Sequence, residues 1–592
     1  MLKFEKSVLL VTALLVTKTP SDRSSKSGLD IVLRFFPFLR WQRFTAKSIR
    51  EDIVAGVTVS LVAIPQALAY AQLAGVPPYY GLYAAFIPTI IGVLFGSSAI
   101  LSTGPVAMTS LLTAASIAPL APAGSEQFYA YAILLALLSG MIQIGFGLAR
   151  MGVLLNFLSH PVLMGFINAA ALIIAISQIP AFLGISIKQS KHLLVDTWNV
   201  LTNFDSLHGM SLAFGLGAFA LLYFFKKVFP KLPGVLITVG FLTWISYMVG
   251  FAEHGGRVVG EIPTGLPSLV VPSFEWAAIR DMLPAAFVVS LISFVEAMSS
   301  CKVIAMKTRT RWDENQELIG QGLAKVAAAF CQSMPVSGSF SRSAINLASN
   351  ARTGLSSIIS AGFVFATLMF FTGTLYHLPK PVLAAMIMMA VANLVNFKSI
   401  QHAWQASKDD GVAAIATFFA TLIFAPNIQN GILTGIILSL VLFLYRRMRP
   451  RIIVALGLHS DGTLRDAARF DLPLLPPQVG ALRFDSSLLF FNVAFFEDAV
   501  LKLMQLKPDA KYILIAGHGI NHLDGSGVEI ISSLARHLHE SGITLVFSGL
   551  KMQVLEVMER TGLVKAIGEK NIYGTDKTAI EALQTRIHSA PA

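Results

Sequence analysis

Long apolar segments recur between residues 53 and 445, and short polar or Gly/Pro-rich stretches separate them. A helix needs about 20 apolar residues to cross the hydrocarbon core of a bilayer. The pattern therefore predicts fourteen membrane-spanning segments in two sets of seven. The first set is 53-73, 79-96, 103-120, 128-149, 160-184, 209-228 and 233-252. The second set is 282-301, 318-332, 339-352, 355-376, 382-396, 411-427 and 430-445.

The pattern changes after Arg451, where charged residues return and apolar runs shorten to strand length. Short apolar or alternating runs predict strands near 481-485, 488-493, 511-516 and 543-548. Helical periodicity predicts helices near 496-505, 526-539, 550-561 and 577-587. Because strands alternate with helices, we expect a soluble α/β domain whose sheet is covered by helices.

These patterns divide the chain into four parts. We expect a cytoplasmic N-terminal segment over residues 1-50 and a transmembrane domain over 51-450. A linker over 451-469 and the α/β domain over 470-592 follow.

Composition agrees with a membrane protein. Of 592 residues 54% are hydrophobic and only 13% are charged. The net charge of +12 lies in loops beside the apolar segments, which argues against a nucleic-acid partner. The cysteines, Cys301 and Cys331, both fall in the apolar region, which excludes a disulfide scaffold. No nucleophile motif, nucleotide loop or metal cluster indicates an enzyme or a cofactor.

Basic residues predict which loops are cytoplasmic, because short cytoplasmic loops concentrate Lys and Arg. Before the first segment stand Arg34, Arg40, Arg43, Lys47 and Arg50, and after the last stand Arg446, Arg447, Arg449 and Arg451. Both ends are therefore expected in the cytoplasm, which requires an even number of spans. Loops that fourteen spans place inside are also basic, with Arg150, Lys226, Lys227, Lys231, Lys302, Lys307, Arg309 and Arg311.

The apolar run from Val8 to Val16, after Lys3 and Lys6, superficially resembles a signal peptide. The run is short and no cleavage site of small residues follows it. We therefore interpret it as part of a loose or misassigned N-terminus.

Each half contains one shortened segment that a Gly/Pro break introduces. The breaks are Ser102-Thr103-Gly104-Pro105 and Pro335-Val336-Ser337-Gly338. Interrupted segments at matching positions of two halves indicate a binding site near the bilayer midplane in inverted-repeat transporters. Seven spans per half is odd, so the halves must be inverted. Glycines and prolines that merely help helices pack are the alternative.

Arg342 follows the second break, and a guanidinium at this depth usually faces a cavity and a partner. Two helix N-termini contribute roughly half a charge each, so the site carries about +2 with the arginine. Such a site suits a small oxyanion. Hydroxyls of Thr103, Ser337, Ser339 and Ser341 are candidate donors, and their small size lets the ion approach the backbone. Gly104 is a further candidate substrate-binding residue.

Glu296 is the acid well inside the eighth segment. Its protonation can respond to an anion that cancels the field of Arg342, which outlines proton–anion symport. A static Glu296–Arg342 ion pair is the alternative. Gln66 follows Pro65, which we expect to break the first segment. Its amide is a candidate ligand of the anion or a packing hydrogen bond.

In the tail, Asp524-Gly525-Ser526-Gly527 leads into a predicted helix. The turn is a candidate anion site or a regulatory phosphosite at Ser526, but the sequence alone favours an ordinary helix cap. His518 and His522 precede it, but no third metal ligand is in view, so we expect no metal site.

Several motifs together resemble the SulP family of anion transporters, which includes sulfate permeases and, more distantly, prestin. The resemblance runs from about residue 47 to the end. In the first half its motifs are Asp52-Ile53-Val54-Ala55-Gly56, Pro65-Gln66-Ala67-Leu68-Ala69-Tyr70-Ala71, Gly75-Val76-Pro77-Pro78-Tyr79-Tyr80-Gly81-Leu82-Tyr83 and Thr103-Gly104-Pro105. In the second half they are Phe294-Val295-Glu296-Ala297, Asn315-Gln316-Glu317-Leu318 and Ser339-Phe340-Ser341-Arg342-Ser343.

The resemblance implies two inverted seven-span repeats arranged as core and gate domains, with a cytoplasmic STAS domain at the C-terminus. It also implies an elevator motion, a substrate held between the third and tenth spans, and a homodimer. Gln66, Glu296, Ser341 and Arg342 match the family's substrate or coupling positions. Ser526 matches the phosphorylatable serine of the STAS signature. The preceding Gly517-His518-Gly519 departs from the acidic strand end often seen there, which puts a phospho-switch in doubt.

The favoured function is proton-coupled uptake of a small oxyanion, with sulfate the leading substrate. Bicarbonate or a C4-dicarboxylate such as succinate remains open, because sulfate and succinate are both dianions. An uncoupled exchanger, a channel, and a sensor that signals through its STAS domain to a cytoplasmic protein are further alternatives. Short loops favour the inner membrane of a bacterium.

Overall fold

The computed structural model describes residues 36–589 except for short gaps. The gaps are 42–43, 153–158, 186–194, 196–197, 200–201, 203–205, 230–231, 273–274, 393 and 426. The signal-like run at 8–16 and the predicted cytoplasmic residues Arg34, Arg43 and Lys231 lie outside the described residues. The chain forms two compact units that divide between Ile437 and Leu438.

The first half of the membrane unit contains nine helices and one strand among its described residues. They are α1 (Ala46–Leu73), α2 (Pro78–Ala85), α3 (Ile87–Phe95), β1 (Ser102–Gly104), α4 (Ala107–Ile117), α5 (Glu126–Leu148), α6 (His160–Ser177), α7 (Ile179–Leu183), α8 (Gly209–Val228) and α9 (Gly234–Val249).

The second half has the same organisation. Its elements are α10 (Trp276–Thr308), α11 (Glu314–Phe330), β2 (Ser337–Ser339), α12 (Phe340–Ala348), α13 (Leu355–Phe370), α14 (Thr372–Tyr376), α15 (Lys380–Ala392), α16 (Phe397–Ala406), α17 (Lys408–Phe424) and α18 (Ile428–Met448).

Each of the fourteen predicted segments coincides with helical structure. Eight stretches in the described part of the chain are long and apolar enough to cross a membrane, and the remainder are shorter. The third and tenth segments are half-helices, α4 and α12, each preceded by a short strand. One detail is wrong: α1 continues through Pro65 without a break. Proline lacks a backbone N–H, so one hydrogen bond of the helix is lost at Pro65. The packed turns on either side nevertheless keep the helical conformation through this position.

The packing of the helices reproduces the predicted inverted repeat. The first segment packs against the eleventh (α1 on α13), and the eighth packs against the fourth (α10 on α5). In the same way α6 packs on α17 and α8 on α15. Exchanging equivalent segments of the two halves turns the α1–α13 pair into the α10–α5 pair. The same exchange turns the α6–α17 pair into the α15–α8 pair, as a two-fold relation between the halves requires. Antiparallel pairing of β1 with β2 fits the same relation.

The second unit contains an α/β domain. Its strands are β3 (Ile452–Ile453), β4 (Leu456–Leu458), β5 (Leu464–Asp466), β6 (Val479–Phe484), β7 (Tyr512–Ala516), β8 (Thr544–Ser548) and β9 (Ile572–Tyr573). Its helices of five residues or more are α19 (Val493–Leu506), α20 (Gly525–Glu540), α21 (Met552–Arg560), α22 (Leu563–Ile567) and α23 (Asp576–Ser589).

The main sheet of this domain has the order β3-β6-β7-β8-β9, parallel except for β3. Separate apolar clusters cover its two faces, with Phe484, Phe496 and Phe547 in one and Leu514 and Val546 in the other. The strand predicted at 488-493 is wrong. Its apolar residues form a loop before α19, with a single bridge between Leu488 and Leu523.

Candidate functional site

The two short strands bring the Gly/Pro breaks of both halves together. Ser102 pairs with Ser339, Thr103 with Gly338, and Gly104 with Ser337. All residues of both strands are buried, and α4 and α12 begin within a few residues of them. The pairing therefore places the N-terminal ends of two half-helices beside one strand pair.

Arg342 lies in the first turn of α12 and is only 2% exposed. Its Nη1 donates to the Pro105 carbonyl at 2.8 Å, and its Nε donates to Ser102 Oγ at 3.4 Å. The Nη2 group is buried and has no hydrogen-bond partner. A buried guanidinium donor without a partner is costly, so this group is available for an anion.

Gly104 permits the approach of this guanidinium. Its φ is +155°, and a Cβ added to it would lie 3.0 Å from Arg342 Nη2. Any side chain at position 104 would therefore crowd the unpaired donor.

The serines after the second break differ in their surroundings. Ser339 is buried and caps α12, since its Oγ accepts from the backbone N–H of Arg342 at 3.3 Å. Ser341 is exposed, and its Oγ is 3.4 Å from Ser339 Oγ. The sequence prediction of a helix that starts near Ser339 is confirmed.

Two predicted hydroxyl donors are engaged with neighbouring helices. Thr103 Oγ1 accepts from Gln321 Nε2 at 2.8 Å, and Ser337 Oγ donates to the Ser293 carbonyl at 2.7 Å. These bonds anchor β1 to α11 and β2 to α10. Direct contact of these hydroxyls with an anion stays a prediction.

Glu296 and Gln66 carry buried polar atoms without partners. Neither Glu296 Oε2 nor Gln66 Oε1 accepts a hydrogen bond. Glu296 interacts electrostatically with Arg342 and with Lys325. Among the described residues no ion pair within 4.0 Å joins Glu296 to Arg342, so the static ion pair considered from the sequence is not formed. Tyr70, one turn after Gln66 on α1, is buried and interacts with both charges.

The sequence analysis missed Lys325 on α11. Its side chain is fully buried, and its Nζ donates to Gln143 Oε1 at 2.6 Å and to Ser293 Oγ. The sequence did contain a signal for it, because Lys325 is a charged residue inside a predicted membrane segment. A lysine at such a position is as costly as an acid.

In the α/β domain Ser526 is exposed in the first turn of α20. Asp524 caps this helix, because its Oδ1 accepts from the N–H of Gly527 at 2.9 Å. His518 Nε2 is 3.2 Å from Asp576 Oδ1. No group of metal-ligating side chains occurs within the described ranges.

A helical inverted-repeat fold, with a buried arginine and two half-helix N-termini beside one strand pair, has the features of a membrane transporter for small anions. The chain belongs to the Sulfate permease family, whose profile matches residues 49–417. The profile of the STAS domain matches residues 475–579. These matches confirm the resemblance and place the protein among transporters rather than enzymes.

Related proteins are named as sulfate transporters. "Sulfate transporter 4.1, chloroplastic" of Arabidopsis thaliana is 31% identical over 95% of this chain and 84% of its own length. The "Sodium-independent sulfate anion transporter" of Bos taurus is 31% identical over 89% of this chain and 88% of its own. A "Probable sulfate transporter" of Mycobacterium tuberculosis is 28% identical over 93% and 98%.

Solved structures share the fold. The murine Slc26a9 anion transporter in the inward-facing state superimposes with a TM-score of 0.88 at 20% identity, covering 98% of both chains. The transmembrane domain of the cyanobacterial bicarbonate transporter BicA gives a TM-score of 0.57 at 25% identity, covering 67% of this chain and 98% of that one.

Proposed function

We propose that this protein takes up sulfate together with protons and binds the anion beside the β1–β2 pair. The unpartnered Nη2 of Arg342, buried between the two half-helix N-termini, is the observation that carries this proposal. The guanidinium and the two helix ends supply about +2 of local charge, which suits a dianion. Relatives named as sulfate transporters support the choice of anion.

Protons enter through Glu296. Its buried Oε2 has no hydrogen-bond partner and no ion pair. The charge that interacts most strongly with this carboxyl group is that of Arg342. An anion that neutralises this arginine weakens the field that favours the carboxylate, and Glu296 then takes up a proton. Bound anion and bound proton thus travel together.

Movement of the site is proposed as an elevator motion of the core, which includes β1, β2 and the helices around them. From the sequence analysis we further propose that the protein forms a homodimer in the inner membrane of a bacterium and has both termini in the cytoplasm. The STAS domain offers a surface to a cytoplasmic protein, and phosphorylation at exposed Ser526 is one means of regulation.

Uptake of radiolabelled sulfate into proteoliposomes tests the proposal. We expect an inward proton gradient to stimulate uptake, and Arg342→Ala to abolish it, because the buried anion loses the guanidinium that binds it. Arg352→Ala is the matched control, since Arg352 is an exposed arginine whose Nε donates to Glu51 of α1 at 2.9 Å and not to a residue of the strand pair. This variant should transport normally.

Bicarbonate is the second candidate, favoured by the likeness to the transmembrane domain of BicA. The same vesicles loaded for bicarbonate flux distinguish the two. Bicarbonate flux without sulfate flux would reject sulfate as the substrate, while loss of flux in Arg342→Ala would still locate the site.

A further inference from the structure

Lys325 is a buried cation where α5, α10 and α11 meet. Its Nζ donates to Gln143 Oε1 of α5 at 2.6 Å and to Ser293 Oγ of α10. A Cβ added to Gly140 of α5 would come within 3.0 Å of the lysine Cβ, so this glycine makes room for the side chain. Both hydrogen-bond partners are neutral. The charge of Lys325 is therefore not matched by any group that it contacts through a hydrogen bond.

The lysine is connected to the anion site through Ser293. This serine receives the Nζ bond on its Oγ, and its carbonyl accepts from Ser337 Oγ of β2 at 2.7 Å. Glu296 follows one turn later on the same helix and interacts electrostatically with both Lys325 and Arg342. Lys325 therefore contributes to the same buried field as the guanidinium.

A count of charges shows what this lysine adds. Arg342 and the two helix N-termini give about +2, and an ionised Glu296 lowers the sum to about +1. That sum suits a monovalent anion. The charge of Lys325 restores about +2, which suits a dianion without requiring that Glu296 first be neutralised.

We propose that Lys325 sets the preference of this site for divalent over monovalent oxyanions. The inference rests on the proposed function, since it takes the strand pair as the place where the anion binds. Lys325 acts through its charge at a distance, so it is a specificity-determining residue and not a ligand.

Ligand-induced thermal stabilisation of the purified full-length protein in detergent tests this inference. Apparent dissociation constants for sulfate and for nitrate, a monovalent oxyanion, are measured at one pH and constant ionic strength. Lys325→Gln removes the charge and retains hydrogen bonding, whereas Lys325→Met removes both. Lys325→Arg retains the charge. Lys302→Gln, which removes an exposed lysine from α10, is the control for net charge.

We expect both neutral variants to lower the sulfate-to-nitrate preference by at least about tenfold, because a dianion loses twice the interaction that a monovalent anion loses. Lys325→Arg and Lys302→Gln should keep the preference of the parent protein. Either neutral variant alone decides the result if the other does not fold.

Two results would overturn the inference alone. One is a Lys325→Gln protein that binds both anions as the parent does, which would make the lysine a hydrogen-bonding strut. The other is an equal loss of sulfate and nitrate binding in both neutral variants. A parent protein that binds nitrate but no sulfate would instead overturn the proposed function, and this inference with it.

Discussion

At the scale of single residues, the membrane unit buries two cationic side chains, Arg342 and Lys325, whose hydrogen-bond partners are all neutral groups. Among the described residues, the Arg342 guanidinium donates to a carbonyl and a hydroxyl, and the Lys325 ammonium donates to an amide oxygen and a hydroxyl. Sequence reasoning found Arg342 and Glu296 because charged residues are rare in apolar segments. Lys325 carries the same signal, but its importance depends on which helices surround it, and that is a matter of tertiary packing.

Glu296→Gln separates coupling from binding. The amide occupies nearly the same volume but cannot release or accept a proton in the way a carboxyl group does. We expect the variant to lose sulfate accumulation driven by a proton gradient, to within background, while sulfate counterflow stays within about threefold of the parent. Both fluxes are measured in the same proteoliposome preparation. Accumulation at the parental level would show that Glu296 is structural.

At the scale of elements, the strand pair is positioned by the helices behind it. Gln321 of α11 donates to Thr103 Oγ1 at 2.8 Å and to Glu317 Oε1 at 3.0 Å. Glu317 in turn accepts from the backbone N–H groups of Ser97 and Ser98 at 2.9 and 3.0 Å. A continuous hydrogen-bonded chain thus joins the loop after α3 to β1.

Gln321→Ala tests whether this chain holds the site in shape. The variant loses the hydrogen bonds to Thr103 and to Glu317. The bond to Thr103 is the one that holds β1, and a buried hydrogen bond contributes about 1 kcal/mol, so we expect sulfate affinity to fall roughly fivefold. The measurement is sulfate-dependent thermal stabilisation. Gln316→Ala is the matched control, because the Gln316 side chain donates to the Phe95 carbonyl at 2.7 Å and not to β1. Equal losses in the two variants would refute a specific role for the contact with β1.

Secondary-structure elements were predictable from long hydrophobic patterns. Short apolar runs were ambiguous between strand and loop. Fourteen apolar segments and the half-helix start after Ser339 follow from the sequence. The run Leu488-Leu489-Phe490-Phe491 has the composition of a strand, yet only Leu488 is bridged and Phe490 is 71% exposed. The side on which Thr103 projects depends on its pairing with Gly338, a partner distant in the chain, and no local pattern specifies that register.

At the scale of the whole molecule, the two units differ in the solvent that stabilises them. The membrane unit leaves apolar side chains such as Trp244, Tyr247 and Phe370 more than half exposed, as a surface in contact with lipid requires. The α/β domain buries apolar side chains on both faces of its sheet. It has the core that independent folding in water needs.

We therefore expect a fragment of residues 450–589 to fold alone and to unfold cooperatively in urea. Phe547→Ala should lower its free energy of unfolding by about 3–5 kcal/mol, because Phe547 is fully buried between helices and sheet. Phe490→Ala, at an exposed position, should change it by about 0.5 kcal/mol or less. Circular dichroism provides the measurement, and a broad transition without cooperativity would contradict independent folding.

The pairing of β1 with β2 also has a consequence for biosynthesis. Its two strands come from Ser102–Gly104 and Ser337–Ser339, so the ribosome must complete most of the membrane unit before the first strand meets its partner. Until then the backbone groups of β1 lack their partners in an environment with little water, which is costly. We therefore expect a nascent chain that stops between the halves to be recognised as defective, and the membrane unit to become resistant to quality-control proteases only once β2 has paired with β1.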